Sequence, residues 1–231
     1  MNAGMRVLML LTPGVSFVRD WARAASHVAD VVSVTTVRTD WLRRHTTTVD
    51  EGQLRIPRLR PTRMMYPVAD AAAVHRLKAR LGVLEQQHGP FDVVHTHFYS
   101  SASFMPALKR ESGLPYVITE HSTRLTGRSA RHKPLSKAGS RIARSVYSEA
   151  HRVIVPSEYL AKCIERLDLC APSKIVVLGN PIDVENFRPG CDASGGALRI
   201  VAVGRLEEDK DPFLLLHAFS IALTKEHRLT L

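Results

Sequence analysis

The sequence predicts an α/β protein, a Rossmann-like, doubly wound and mostly parallel sheet followed by an incomplete second unit of the same kind. Two observations carry this. Apolar runs of strand length alternate with longer helical patterns, and the runs are largely continuous Val/Ile/Leu stretches. Such runs belong to strands covered on both faces, as in a parallel sheet flanked by helices. Right-handed crossovers then wind the sheet in both directions. A third observation divides the chain. The stretch "FRPGCDASGGAL", residues 187 to 198, sets proline and a glycine pair between two strand patterns, which suits a linker. The expected organisation is a first domain over 1–186, a linker over 187–197, and a strand–helix–strand start of another domain over 198–231.

In chain order, "RVLMLL" reads as the first buried strand and "FVRDWARAASHVA" as the first helix, followed by a strand at "DVVSVTTV". Residues 38 to 66 read as an irregular basic stretch. A helix is expected over "VADAAAVHRLKARLGVLEQQHG", a strand at "FDVVHTH", a helix from about Ser100 to Glu111 and a strand at "PYVITEH". Then come a helix over "LSKAGSRIARSVYSEA", a strand at "HRVIVPS", a helix at "YLAKCIERLDL" and a strand at "KIVVLGNPID". Beyond the linker, "LRIVAVG" reads as a strand, "PFLLLHAFSIAL" as a helix and "RLTL" as the beginning of another strand. That last fragment holds too little shared apolar area to offset the cost of ordering it, about 1–2 kcal/mol per residue.

Composition narrows the partners. The 231 residues are 45% hydrophobic and 23% charged, ordinary for a globular protein with a sizeable core. A surplus of 32 Lys+Arg over 22 Asp+Glu gives a formal charge of +10, which favours anionic ligands without choosing among them. Cys163, Cys170 and Cys191 form no CxxC pair and suit reduced thiols of a cytoplasmic protein. The apolar N-terminal run is cut by Pro13-Gly14 and leads into a helical pattern, so it reads as a strand and not as a secretory signal. No segment approaches the roughly 20 apolar residues of a membrane span.

Ligands of open parallel sheets bind beyond the carboxyl ends of the strands. The residues at those ends are Pro13-Gly14, His95, His97, Glu120 to Ser122, Ser157, Asn180 to Asp183, and Gly204 to Lys210. In "VAVGRLEEDKDPFLLLHAF", Asp211 is a favoured N-cap and Pro212 a favoured first helical residue. The free N–H groups of that helix would face an anion, with Gly204 permitting close approach, Arg205 gripping two oxygens and Lys210 adding a point charge. The alternative is a solvated loop in which Arg205 and Lys210 pair with Glu207, Glu208 and Asp209. The turn after the first strand holds one glycine, Gly14, and lacks GxGxxG, which disfavours a nicotinamide cofactor.

His95 and His97 share one face of their strand. A third metal ligand is not evident, so a packed or substrate-contacting His97 is preferred to a metal site. His121 ends a buried strand, where an imidazole can donate a hydrogen bond to a sugar hydroxyl or phosphate. Nothing resembles a Ser/His/Asp arrangement or a nucleophile elbow, so hydrolysis has no support. The basic stretch from Arg124 to Arg144 lacks the aromatic residues that stack bases, which sets nucleic acid aside. A solvated face, an anionic acceptor or an anionic membrane surface remain open for it.

Taken together, "SFVRDWARA", "FDVVHTH", "PYVITEH", "AHRVIVPSE", "KIVVLGNPIDVENFRP" and "VAVGRLEEDKDPFLLLHAF" resemble the N-terminal half of a retaining glycosyltransferase of family 4, with the GT-B fold. The resemblance implies a nucleotide-diphosphate sugar donor held between two Rossmann-like domains, with no metal or other cofactor. It implies that His121 contacts the donor sugar near the reacting carbon. Gly14, Arg205 and Lys210 would bind the donor diphosphate or sugar, and His97 and Ser122 would face the acceptor, whether a glycan, a lipid or a small molecule. Two departures stand out. The family's glycine pair in the first loop is reduced to Gly14, and its Glu–seven residues–Glu motif would lie beyond Leu231. The resemblance therefore implies a truncated chain that transfers little or no sugar by itself. The other reading is an acceptor-binding module or half-enzyme that works with a separate donor-domain chain. Either would be cytoplasmic, with peripheral contact at the inner membrane surface as an option.

Overall fold

The computed structural model describes residues 4–12, 15–40, 53–58, 66–127, 134–186, 198–204, 206, 208–225 and 229–230. Strand β1 (Arg6–Leu11) leads through helix α1 (Ser16–Ala25) to β2 (Asp30–Asp40) and β3 (Gln53–Arg58). Helix α2 (Tyr66–His88), β4 (Val93–His97), α3 (Met105–Ser112) and β5 (Tyr116–Thr119) follow. Then come α4 (Lys137–Glu149), β6 (Arg152–Val155), α5 (Glu158–Arg166) and β7 (Ile175–Val177). The seven strands form one sheet in the order β3-β2-β1-β4-β5-β6-β7, every pair parallel. The order reverses between β1 and β4, so the chain winds outward twice from the centre. A crevice opens at such a point beyond the carboxyl ends of the two central strands.

The continuous run of β1 is explained by burial on both sides. Leu8 and Leu10 join the large core cluster with Val74, Leu77, Leu81 and Leu84 of α2. The alternate residues Val7 and Met9 are buried too, outside that cluster. Period-2 side-chain direction makes both sets face protein, so none of the positions from Val7 to Leu10 suits a charge. The same cluster takes in Tyr116 and Ile118 of β5, Val153 and Val155 of β6, and Val146 and Tyr147 of α4.

Three expectations change. The stretch read as irregular contains β3, which pairs with β2 from Thr35↔Gln53 to Asp40↔Arg58. Its Pro57 hid it, since proline cannot donate to a ladder and is tolerated only in edge strands such as this one. Helix α3 begins at Met105, not near Ser100. Turns occupy the interval, with Ser101 N–H donating to Phe98 O and Ala102 N–H to Tyr99 O. Pro106 sits in the first helical turn, where its missing N–H costs nothing. Finally, "LRIVAVG" forms only the two-residue strand β8 (Leu198–Arg199), which pairs with β9 (Leu229–Thr230) in a separate sheet.

The helix between them, α6 (Pro212–Leu223), starts where expected. Asp211 caps it, its carboxylate accepting from Leu214 N–H at 3.0 Å, and Pro212 is the first helical residue. Its apolar residues stay open, with Phe213 81% and Leu214 62% exposed. The expected linker, 187–197, lies outside the described residues. No helix among the described residues is long and apolar enough to cross a membrane.

Candidate functional site

The carboxyl ends of β4 and β5 lie side by side, with His97 paired to Thr119. Same-face spacing on β4 stacks the rings of His95 and His97 at 4.7 Å between centroids, and His121 continues the stack 5.7 Å from His97. Aromatic rings enclose the column. Trp21 of α1 meets His95 edge-on at 5.8 Å, and Phe17 lies 4.5 Å from His121, with Phe98 at 5.3 Å. His95 Nε2 hydrogen-bonds Thr119 Oγ1 at 2.7 Å, while His97 Nδ1 approaches His121 Nε2 at 3.5 Å, the outer limit of such a bond.

Burial sets the charge of this column. Desolvation, with the neighbouring His121, pushes His95 down to about 4. Desolvation first, then His95 and His121, pushes His97 down to about 2. Desolvation alone lowers His121 to about 4. All three are neutral at pH 7, so His121 offers a hydrogen bond and not a positive charge. Among the described residues, no group of three or more His, Cys, Asp or Glu side chains is placed to hold a metal ion.

Behind His121 sits Glu120, fully buried. Its Oε1 accepts from the N–H groups of His121 at 2.9 Å and Ser122 at 2.7 Å. Its Oε2 accepts from Tyr99 N–H at 2.8 Å and from Tyr147 Oη at 2.6 Å. Burial raises the carboxyl, and the Tyr147 hydroxyl and the three amides pull it back toward ionisation. The carboxylate in turn pushes the Tyr147 phenol upward, after desolvation as the larger cause.

The expected site residues separate into three groups. His121 and Ser122 are partly open at the sheet edge, and Ser122 Oγ also accepts from Arg124 N–H, which starts a short turn. His97 is buried behind His121, so the direct acceptor contact expected of it is not available in this arrangement. Its Nε2 has no hydrogen-bond partner among the described residues. Lys210 is exposed beside the capped start of α6, while Gly14 and Arg205 lie outside the described residues. Gly204 is not in the left-handed region, and a Cβ there would meet only Lys210 Cγ at 3.9 Å, so the close turn expected of it is not needed.

Other edge residues prove structural. Ser157 caps α5 by accepting from Leu160 N–H. Asn180 accepts from Trp21 Nε1–H at 3.2 Å, tying α1 to the segment after β7. Of the basic stretch, Arg144 bonds Asp168 O at 2.9 Å, and Arg124, Lys137 and Arg141 are exposed. Glu120 stands out in the sequence, but its role does not. The signal was a carboxylate ending an otherwise apolar strand, which demands donors that only the assembled fold supplies.

Neutral imidazoles and a hydrogen-bonded carboxylate thus gather at the carboxyl ends of β4 and β5, on the edge of the sheet where open parallel sheets commonly bind ligands. The comparisons are narrower. Residues 15–186 match the model of Glycosyltransferase Family 4, and the chain belongs to that family. It is similar to the D-inositol 3-phosphate glycosyltransferase of Frankia alni, 29% identical over 67% of this chain and 41% of that protein. The protein of the same name from Mycobacterium sp. (strain JLS) is 31% identical over 59% of this chain and 35% of its own length. The matches thus span well under half of these relatives. Among solved structures, Anabaena Alr3699/HepE in complex with UDP and glucose shares the fold at TM-score 0.63 and 15% identity, covering 98% of this chain and 59% of that one. Sucrose-phosphate synthase from Thermosynechococcus elongatus shares it at TM-score 0.57 and 12% identity, covering 98% of this chain and 69% of that one.

Proposed function

We propose that this chain takes part in glycosyl transfer from a nucleotide-diphosphate sugar to a hydroxyl acceptor, with retention at the sugar carbon, and that His121 meets the donor sugar. The observation that carries the reading is His121 itself. It is a neutral imidazole, partly open at the β5 edge, on backbone fixed by Glu120. A neutral ring there can donate to a sugar hydroxyl or phosphate without bringing a competing charge to the diphosphate. Family membership and the UDP and glucose named for Alr3699/HepE support the donor class.

In this reading, Lys210 and Arg205, at the N-terminal end of α6, face the leaving diphosphate, where donors are most effective against developing charge. The sugar–phosphate C–O bond breaks as the acceptor oxygen bonds the same carbon. The acceptor proton passes to a phosphate oxygen, so no protein nucleophile is required, and neither is a metal or organic cofactor. Gly14 would border the same donor, Ser122 the acceptor. The relatives named for D-inositol 3-phosphate, together with the +10 charge, favour a phosphorylated polyol as acceptor.

A single-turnover assay with protein in excess tests this across nucleotide-diphosphate sugars, with phosphorylated and unphosphorylated polyols. The expected result is nucleoside diphosphate release that depends on the acceptor, a product keeping the donor's anomeric configuration, and a loss of about 10²-fold in His121→Ala. An inverted product overturns retention, and absence of acceptor-dependent release across the panel overturns transfer by this chain acting alone.

A further inference from the structure

We infer that Glu120 is the positioning residue of this site, a buried carboxylate clamp that binds the His97–Tyr99 turn to the His121–Ser122 turn so that both edge segments hold one geometry. Its relevance to a sugar rests on the glycosyl-transfer reading; the clamp itself does not.

The need for a clamp follows from where the ladders stop. Strand β5 ends at Thr119, so the N–H groups of His121 and Ser122 have no strand partner, and both converge on Glu120 Oε1. Beyond β4, Phe98 N–H still reaches Thr119 O at 3.0 Å. Phe98 then adopts φ 62°, a left-handed conformation uncommon for a non-glycine residue. That bend presents Tyr99 N–H to Oε2, where Tyr147 Oη on α4 completes the set. Orphan N–H groups from two turns, and one hydroxyl from a helix, thus meet on one group.

Only a carboxylate at this reach satisfies them. It has two acceptor oxygens with about four lone-pair sites, and four donors occupy them. Three are backbone N–H groups, which cannot accept, so an NH₂ on either side would face a donor. Aspartate would be one methylene too short to span both pairs. All four partners are neutral donors, and together they oppose the rise that burial imposes on the carboxyl. A core glutamate serving stability alone could sit anywhere in the sheet. This one adjoins His121 and fixes the peptide that carries the imidazole into the cleft.

Residue-resolved hydrogen exchange and imidazole resonances of the 231-residue chain test the clamp without any sugar. In Glu120→Gln, one oxygen becomes a donor. Either the Tyr99 amide or the His121 and Ser122 amides are expected to exchange at least about tenfold faster. The His121 ring signals should shift, while the amides of Leu8, Ile118 and Val153 keep their protection. Tyr147→Phe removes one donor and guards against a Gln variant that fails to fold. It should speed Tyr99 exchange severalfold and leave the His121 ring signals in place. Unchanged exchange at Tyr99, His121 and Ser122 overturns the clamp. So does a loss spread evenly through the core in both variants, which a merely structural glutamate would give. A clamp confirmed by exchange, with His121 silent to every nucleotide-diphosphate sugar of the panel, would sink the transfer reading and leave the clamp standing.

Discussion

The chain contains the same local pattern twice, and the two copies end differently. From Arg6 to Val177, strand–turn–helix units assemble into a seven-stranded sheet whose central strands bury most of their apolar residues. From Leu198 to Thr230, the pattern yields a capped helix between two-residue strands, with Val203 96% exposed and Phe213 81% exposed. Propensity and capping build a helix in both places. Burial needs neighbours on both sides, and only the first region supplies them.

The largest expected effect separates the regions by substitution. Ile118→Ala in β5 should cost about 2–5 kcal/mol, whereas Leu214→Ala in α6 should stay within about 0.5 kcal/mol. Urea unfolding of the two variants measures both, and equal losses would erase the distinction.

Acid should weaken the first region specifically. His95 is neutral when folded, with its pKa near 4 against 6.5 when exposed. Between those values the unfolded chain binds more protons, so stability falls as pH drops from about 6.5 to 4 and this contribution then levels off. For a group buried this deeply the change is on the order of 3 kcal/mol. His97, near 2, extends the decline below pH 4, and His121 adds in the same direction. Urea unfolding at pH 7.5 and 4.5 checks the sign. A shallower slope in His95→Asn assigns it, and greater stability at pH 4.5 would contradict the burial of neutral imidazoles.

The smallest effect belongs to the second region. Asp211→Ala removes the cap on Leu214 N–H and should weaken α6 by about 0.5–2 kcal/mol. The loss should be read in exchange of the α6 amides alone, with the amides of β4 and β5 unchanged. A matching loss in the sheet would mean that the two regions unfold as one.

What was legible in the sequence follows the same division. The continuous runs of β1, β4, β5 and β6 announced a parallel sheet because both their faces are covered, and Asp211-Pro212 announced α6 because caps are local chemistry. Strand β3 was not legible, since Pro57 and basic neighbours speak against a strand until an edge position excuses them. At the site, His95 and His97 could be placed on one face from spacing alone, and His121 at a sheet edge. The burial of His97 behind His121 could not, because Phe17 and Trp21 that enclose the column come from a distant helix. Glu120 was visible as a charge at a strand end, but its four donors come from three segments of chain.

Under the proposed function, the β4–β5 carboxyl edge, with His121 at its mouth, binds a sugar nucleotide or its acceptor. The most direct test follows amide and imidazole resonances of the 231-residue chain during titration with UDP-glucose and with inositol phosphate. Saturable shifts at Phe98, His121 and Ser122, weakened in His121→Ala, are the predicted result. Shifts confined to the opposite edge around Gly113 to Pro115, or no saturable shifts with either probe, would contradict it.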